Sequence, residues 1–403
     1  MNFDELPQPM NQRSRRSRRF AEILCLVWLL GWEDRPGPEL PPDPTAGTET
    51  GAYATERGRI KVTEVITSLD HPWGLAFLPD GRMLITERPG RMRIATAAGQ
   101  VSPPLRGLPE AFVEGQSGLL DVAIAPTFAA DHLVYLSYGE PSFRGNKAGT
   151  AVARGRLVGA ALEDVEVIYR QEPKLSSGTH VGSRLVFDDD GYLFITQGEN
   201  REAATAQDLG KLQGKLVRIR PDGSVPRDNP FVGQTGARPE TWSYGHRNIQ
   251  GAALHPRTRK LWTHEHGPLG GDEINLPEPG RNYGWPAITH GLDYTGLPVP
   301  GSVGQAAPGM EPPHHVWLKS PGVSGMAFYT GDRIPSWKGN LFIGALATNE
   351  LLRLELDGST IVHEERLLTE RGERIRDVRQ GPDGLLYLLV DSKLGKLLRL
   401  QLD

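Results

Sequence analysis

The feature that most constrains this chain is a unit that recurs six times: an apolar strand, a short polar turn often containing Asp-Gly, and a second apolar strand. The copies begin with Gly74-Leu75-Ala76-Phe77 through Thr86, Leu120-Asp121-Val122-Ala123 through Tyr138, and Arg184-Leu185-Val186-Phe187 through Gln197. Three more run from Gly251-Ala252-Ala253-Leu254 to His264, from Gly325-Met326-Ala327-Phe328 to Ala345, and from Arg376-Asp377-Val378 to Val390. Their starts lie about 45 to 75 residues apart, the length of a four-stranded blade with variable loops.

Each copy carries an apolar face that cannot stay dry alone. Stacking the copies radially and joining the last to the first removes the exposed edges. The expectation is an all-β, six-bladed β-propeller of four-stranded antiparallel blades over 57–403. The strand-like Ile60 to Ile66 precedes the first copy and is placed to close the last blade beside Leu397 to Leu402, where alternating Leu and Arg mark a half-buried strand. The 48 Gly and 33 Pro are spread along the chain, as turns between many short strands require.

Ahead of the repeats the chain changes character. Arg13, Arg15, Arg16, Arg18 and Arg19 precede an apolar run from Ile23 to Trp32 that is short for a bilayer span, so 1–32 reads as an export signal or N-terminal anchor. Pro36, Pro38, Pro41, Pro42 and Pro44 then predict an extended linker over 33–56. This places the protein in the periplasm or outside the cell, touching a membrane only through an uncleaved N-terminus. The single cysteine, Cys25, falls in the apolar run, so the repeats have neither disulfides nor thiolate metal sites. A net charge of −4 excludes a general attraction to nucleic acid and favours a small-molecule partner.

Polar segments flank several innermost strands: Glu114-Gly115-Gln116-Ser117-Gly118, Ser177-Gly178-Thr179-His180-Val181-Gly182, Gly245-His246-Arg247-Asn248-Ile249-Gln250-Gly251, and Arg374-Ile375-Arg376-Asp377. In a propeller such loops gather at one mouth of the ring. Glycines beside Gln116 and His180 admit a ligand or a neighbouring backbone. Arg247, Arg374 and Arg376 there suit a planar carboxylate ligand, unless they are tied up in ion pairs with Asp377, Asp121 or Glu273. His180 is the candidate base, although a lone histidine also serves structural roles. The run His264-Glu265-His266-Gly267-Pro268-Leu269-Gly270-Gly271-Asp272-Glu273 offers oxygen ligands that suit calcium. Zinc is disfavoured, because His264 and His266 point to opposite faces of a strand.

At these residues, from about Thr63 to the C-terminus, the chain resembles the bacterial soluble aldose sugar dehydrogenases of the glucose/sorbosone dehydrogenase family, and more distantly the soluble quinoprotein glucose dehydrogenases. The resemblance rests on Leu212-Gln213-Gly214-Lys215-Leu216-Val217-Arg218, Tyr244 through Gly251, Glu265-His266-Gly267-Pro268, Gly271-Asp272-Glu273-Ile274-Asn275, Asn282-Tyr283-Gly284-Trp285-Pro286 and Arg374 through Val378. It implies oxidation of an aldose to its lactone, with His180 as proton acceptor and pyrroloquinoline quinone as hydride acceptor. The implied cofactor residues are Gln116, Arg247, Asn248, Tyr294, Ala345, Leu346, Ala347, Thr348, Arg374 and Arg376. The implied calcium (Ca2+) residues are Gly267 and Pro268 through their carbonyls, with Glu273 and Tyr283 at a further, structural position.

Three residues depart from the family pattern. Ala347 stands where relatives place a lysine, Thr179 where an acid or amide precedes the histidine, and Ile249 where a proline is frequent. Altered cofactor affinity is the expected result. The expected partners are an aldose substrate and a separate electron acceptor, with a monomer or homodimer as the assembly. Two alternatives stay open at this stage: a calcium-dependent propeller hydrolase of the lactonase kind, and a non-catalytic propeller that binds glycans or proteins.

Overall fold

The computed structural model describes residues 47–403, which form a ring of six antiparallel sheets. The signal or anchor expected over 1–32 lies outside the described residues, as does the linker up to 46. No helix among the described residues is long and apolar enough to cross a membrane.

Every one of the six repeats becomes the inner pair of strands of a blade. The innermost strands are Pro72–Phe77, Leu119–Ile124, Leu185–Phe187, Ile249–Leu254, Val323–Phe328 and Ile375–Gln380, here numbered blades 1 to 6. Closure follows the expected pairing: Gly58–Leu69 runs antiparallel to Gly395–Leu402, with Ile60 opposite Leu402 and Ile66 opposite Leu397. The last blade is therefore built from both ends of the propeller, which leaves no open seam.

Two blades depart from four strands. Blade 1 has three, because the segment after Arg91–Ala95 touches it only at Val101, Ser102 and Leu105. Pro103 and Pro104 carry no N–H to continue a ladder there. Blade 6 has five, because Thr48–Thr55 adds to the outer edge of Gly58–Leu69. This corrects the linker expected over 33–56, whose last residues are strand. The prolines stop at Pro44, and Tyr53 packs on the core between blades 5 and 6 while its hydroxyl accepts from Arg371 at 3.0 Å.

Burial follows the ring. A separate apolar cluster fills each of the six interfaces between neighbouring blades, for example Ile66, Leu75, Ile85, Leu389 and Leu397 between blades 6 and 1. The interface between blades 3 and 4 has the smallest of these six, built around Phe194, Leu216, Ile249 and Leu261.

Around the axis the same repeat position is filled by Gly74, Asp121, Arg184, Gly251, Gly325 and Asp377. Three charged side chains fit because three glycines leave room: a Cβ on Gly74 would meet the Asp121 carboxylate, and one on Gly325 would meet Asp377. Arg184 is 2% exposed; its Nη1 lies 3.1 Å from Asp121 and 3.0 Å from Asp377, and its Nη2 donates to the Arg376 carbonyl at 3.1 Å. Arg379 braces the same two carboxylates at 3.0 Å each. Blades 2, 3 and 6 are thereby tied together at the centre, where a charge left without its partner would be costly.

Candidate functional site

At one mouth of the ring the loops enclose a cavity of about 310 Å³. Gln116, Leu346, Ala347, Arg374 and Arg376 line it, as the sequence suggested. Val181, Gln250 and His266, from the segments singled out in the sequence, also line it, as do Trp73, Arg88 and Asp391, whereas His180, Arg247, Asn248 and Tyr294 lie outside its lining.

Two glycine loops cross to hold the base. The N–H groups of Gln116 and Ser117 both donate to the Gly178 carbonyl, at 2.8 and 3.0 Å, and a Cβ on Gly178 would strike the Glu114 backbone. The glycines thus serve a neighbouring backbone. Gln116 Oε1 in turn accepts from the His180 N–H at 2.8 Å. His180 sits in the left-handed region with φ of 50°, a strained conformation for a residue with a side chain, and is 5% exposed. Its Nδ1 lies 2.7 Å from Glu199 Oε2, so Nδ1–H donates to the carboxylate and Nε2 keeps its lone pair. Thr179 instead pairs its hydroxyl with Ser177 at 2.9 Å. Glu199 therefore orients the histidine from the loop that follows the strand Leu193–Thr196, where the residue before the histidine does not.

The loop between blades 3 and 4 is fixed by a buried relay. His246 bridges Ser243 at 2.9 Å and Glu265 Oε1 at 2.8 Å and stacks on Tyr283 at 4.9 Å. The other Glu265 oxygen accepts from the backbone N–H of Arg247 and of Asn248, setting where both side chains point. Arg247 is 5% exposed; it donates to the His266 carbonyl at 3.2 Å, reaches the exposed Tyr294 hydroxyl at 3.5 Å, and lies over Trp285. No carboxylate among the described residues pairs with it, and its Nε is buried without a partner. Asn248 accepts from the Gly182 N–H and from Gln250, both at 3.1 Å, and meets His266 Nδ1 at 3.3 Å.

Arg374 and Arg376 share one carboxylate, Asp391, at 3.4 and 3.2 Å. Burial would raise the Asp391 carboxyl, but Arg376, His71 and Arg374 outweigh it and hold it well below the usual range. Arg376 also donates to Gln250 at 3.2 Å, and its Nε is a second buried donor without a partner. The carboxylates Asp121 and Asp377 are not partners of these arginines but are engaged by Arg184 and Arg379 on the axis. That leaves them no role as central calcium ligands of a hydrolase. His266 is pushed well below the usual histidine range, first by burial and then by Arg247 and Arg376. Its neutral ring donates through Nε2 to the Val323 carbonyl at 2.6 Å.

Ala345 is fully buried in its strand opposite Val323 and Glu350, and Thr348 turns its hydroxyl to the Pro321 carbonyl. Both flank the cavity without lining it. Gly267 donates its N–H to Asp272 at 3.0 Å, while the Gly267 and Pro268 carbonyls accept no hydrogen bond among the described residues. Nearby, Asn275 donates to Glu265 at 3.1 Å and Glu273 at 2.9 Å, and its own Oδ1 is buried without a partner. Burial and then the Glu265 charge push the Glu273 carboxyl well above the usual range. The Tyr283 hydroxyl is committed to the backbone of Leu276 and Glu278, so its carbonyl is the oxygen it has to offer. His264 faces away from the cavity, fully buried, as strand alternation required.

Comparison with known proteins gives one family. The family described as Glucose / Sorbosone dehydrogenase matches residues 69–399. An aldose sugar dehydrogenase of Escherichia coli (strain K12) is 51% identical over 343 residues, 84% of this chain and 92% of that protein. A crystal structure of a glucose dehydrogenase, 58% identical, superposes with a TM-score of 0.83 over 84% of this chain and 98% of its own. The PQQ-bound aldose sugar dehydrogenase of Streptomyces coelicolor is 28% identical, with a TM-score of 0.70 over 85% of this chain and 98% of its own.

Proposed function

The chain belongs to the glucose/sorbosone dehydrogenase family, and on that premise we propose that it oxidises an aldose at its anomeric hydroxyl to the lactone, using pyrroloquinoline quinone and calcium. The observation that carries this reading is a cavity lined by Arg374 and Arg376, behind whose wall stand Arg247, bonded to the lining His266, and His180, bonded through its N–H to the lining Gln116 and braced by Glu199. A planar polyanion would accept from those guanidinium groups and offset their charge, of which the single carboxylate Asp391 balances only part.

Arg247, Asn248, Arg374 and Arg376 would hold the quinone, with Tyr294 at the rim and Leu346 and Ala347 as an uncharged wall. When bound, the cofactor supplies an electron-poor carbonyl that accepts the hydride from the sugar carbon. His180 takes the hydroxyl proton at Nε2, and Glu199 stabilises the imidazolium that results. Losing the proton as the hydride departs spares the sugar a free alkoxide. Trp73 and Val181 close the cavity floor and limit water around that transfer.

The Gly267 and Pro268 carbonyls would hold a calcium ion beside the cofactor, where a hard cation polarises carbonyl oxygen. Glu273 and the neighbouring Asn275 amide oxygen, with the Tyr283 carbonyl, would hold a second such ion in a structural role. The arginine-flanked apolar stretch within 1–32 supports delivery across a membrane.

The test is dye reduction by protein reconstituted with quinone and calcium, across mono- and disaccharides. Aldose-dependent reduction is expected. His180→Ala is expected to bind the quinone and lose most turnover. No reduction with any aldose overturns the reading.

A further inference from the structure

Arg88 is the one cation of the cavity wall that the quinone site leaves unassigned. It follows Glu87 at the end of the second strand of blade 1 and lines the cavity beside Gly115 and Gln116. Its neighbour Glu87 is fully engaged elsewhere, with Arg91 and Arg93 at 2.9 Å each and the Asp70 N–H at 2.7 Å. The Arg88 guanidinium donates to the Gly115 carbonyl and pairs with no carboxylate among the described residues. By contrast Arg374 and Arg376 share Asp391, so Arg88 adds a positive charge that the wall does not balance.

Its position decides what that charge meets. Gln116, beside it, holds the His180 backbone N–H, and the Arg88 N–H donates to the carbonyl of His71, whose ring meets Asp391, so Arg88 lies between the loop that holds the base and the carboxylate that Arg374 and Arg376 share. A sugar that gives its proton to His180 would lie between the base and the cofactor, within reach of this cavity-lining guanidinium. A half-exposed guanidinium there recognises a carboxylate through paired N–H donors, and does so more strongly than it recognises hydroxyls.

We propose that Arg88 reads substrate charge, so that the enzyme favours aldoses bearing a carboxylate, of the uronic acid class, over their neutral counterparts. This rests on the oxidation proposed above. Arg88 acts on substrate choice, and its contact with Gly115 keeps the guanidinium in place.

The test compares glucuronic acid with glucose in dye reduction by the reconstituted enzyme, at about 20 mM and about 200 mM salt. The ratio of kcat/KM for the acid over the neutral sugar is expected to exceed one at low salt and to shrink as salt rises. In Arg88→Gln, which can still donate to the Gly115 carbonyl, the ratio is expected to fall on the order of tenfold, while Arg88→Lys keeps most of it. Calorimetric titration of both sugars into cofactor-loaded His180→Ala should show the same order without turnover. An unchanged ratio in Arg88→Gln overturns the proposal, as does an equal loss for both sugars, which would mark a purely structural contact. If the wild type turns over neither sugar, the oxidation reading falls and takes this proposal with it.

Discussion

Replacing Glu199 with Gln removes a charge from behind the base without altering the cavity wall. Glu199 Oε2 accepts from His180 Nδ1 at 2.7 Å and from the Arg201 N–H at 3.2 Å, and both side chains of the pair are buried. Because a single oxygen takes both donors, the amide of Glu199→Gln must place its oxygen there, and the histidine tautomer is preserved. What disappears is the attraction between the carboxylate and the imidazolium formed as His180 takes the sugar proton. The difference between charged and neutral hydrogen bonds sets a lower bound of about 1 kcal/mol. Two unit charges 4 Å apart at an effective dielectric of about 20 set an upper one of about 4 kcal/mol. The expected loss in kcat is therefore roughly 5-fold to 1,000-fold. Glu199→Ala should lose more, since the tautomer is then unfixed. The assay is steady-state dye reduction, with quinone affinity measured separately to show that the site is loaded. Glu199→Gln within twofold of wild-type kcat, at equal cofactor occupancy, would refute the argument.

Arg247→Met should weaken quinone binding by at least about tenfold yet raise the melting temperature of the cofactor-free protein, because a buried charge without a carboxylate partner is removed; a lower melting temperature would count against it. Arg184→Ala, which strips Asp121 and Asp377 of a shared partner, should cost about 3–5 kcal/mol in urea unfolding, and a cost under about 1 kcal/mol would contradict the axial network. Burial pushes the Lys215 ammonium down to about 7 from 10.5, although three carbonyls within 3.1 Å satisfy its donors. Below about 7 both folded and unfolded chains hold that proton, and between about 7 and 10.5 the unfolded chain holds more of it. Lys215 should therefore make stability rise with pH across that window, and thermal melts of Lys215→Met should lack that rise. Parallel curves for the two proteins would refute it.

The base and the arginines were legible because each sits in a short glycine-flanked or Arg-rich segment beside a repeat. Glu199 and Asp391 were not read, although a signal existed. Acidic residues end or closely follow the second strand of several blades, at Glu87, Glu140, Glu199, Glu265 and Asp391. They fall within three residues of one another in the repeat register, Glu87 and Glu265 at the same position, Asp391 one later, and Glu140 and Glu199 two later, so a search of the strand ends would have found them where an exact alignment would not. The two departures from four strands were hidden for different reasons. Pro103 and Pro104 fall in a stretch that reads equally as loop, and Thr48–Thr55 is short, partly exposed and held by a partner strand that follows it. Ala345 to Thr348 were read together from the family resemblance, but the strand ends at Ala345, which stays in the core, and the turn that follows presents Leu346 and Ala347 to the cavity while Thr348 bonds back to the Pro321 carbonyl.

The order of residues alone determined the ring: hydrophobic periodicity and turn residues are local, and six equal units with one wet face each have few ways to become dry. Which arginine does what was settled only by the fold. Arg376 and Arg379 lie three residues apart on one strand, yet the first lines the cavity and the second braces the axis, while Arg184 reaches Asp377 from three blades away. A charge takes its role from the groups that surround it in space, and in a closed ring those come from blades distant along the chain.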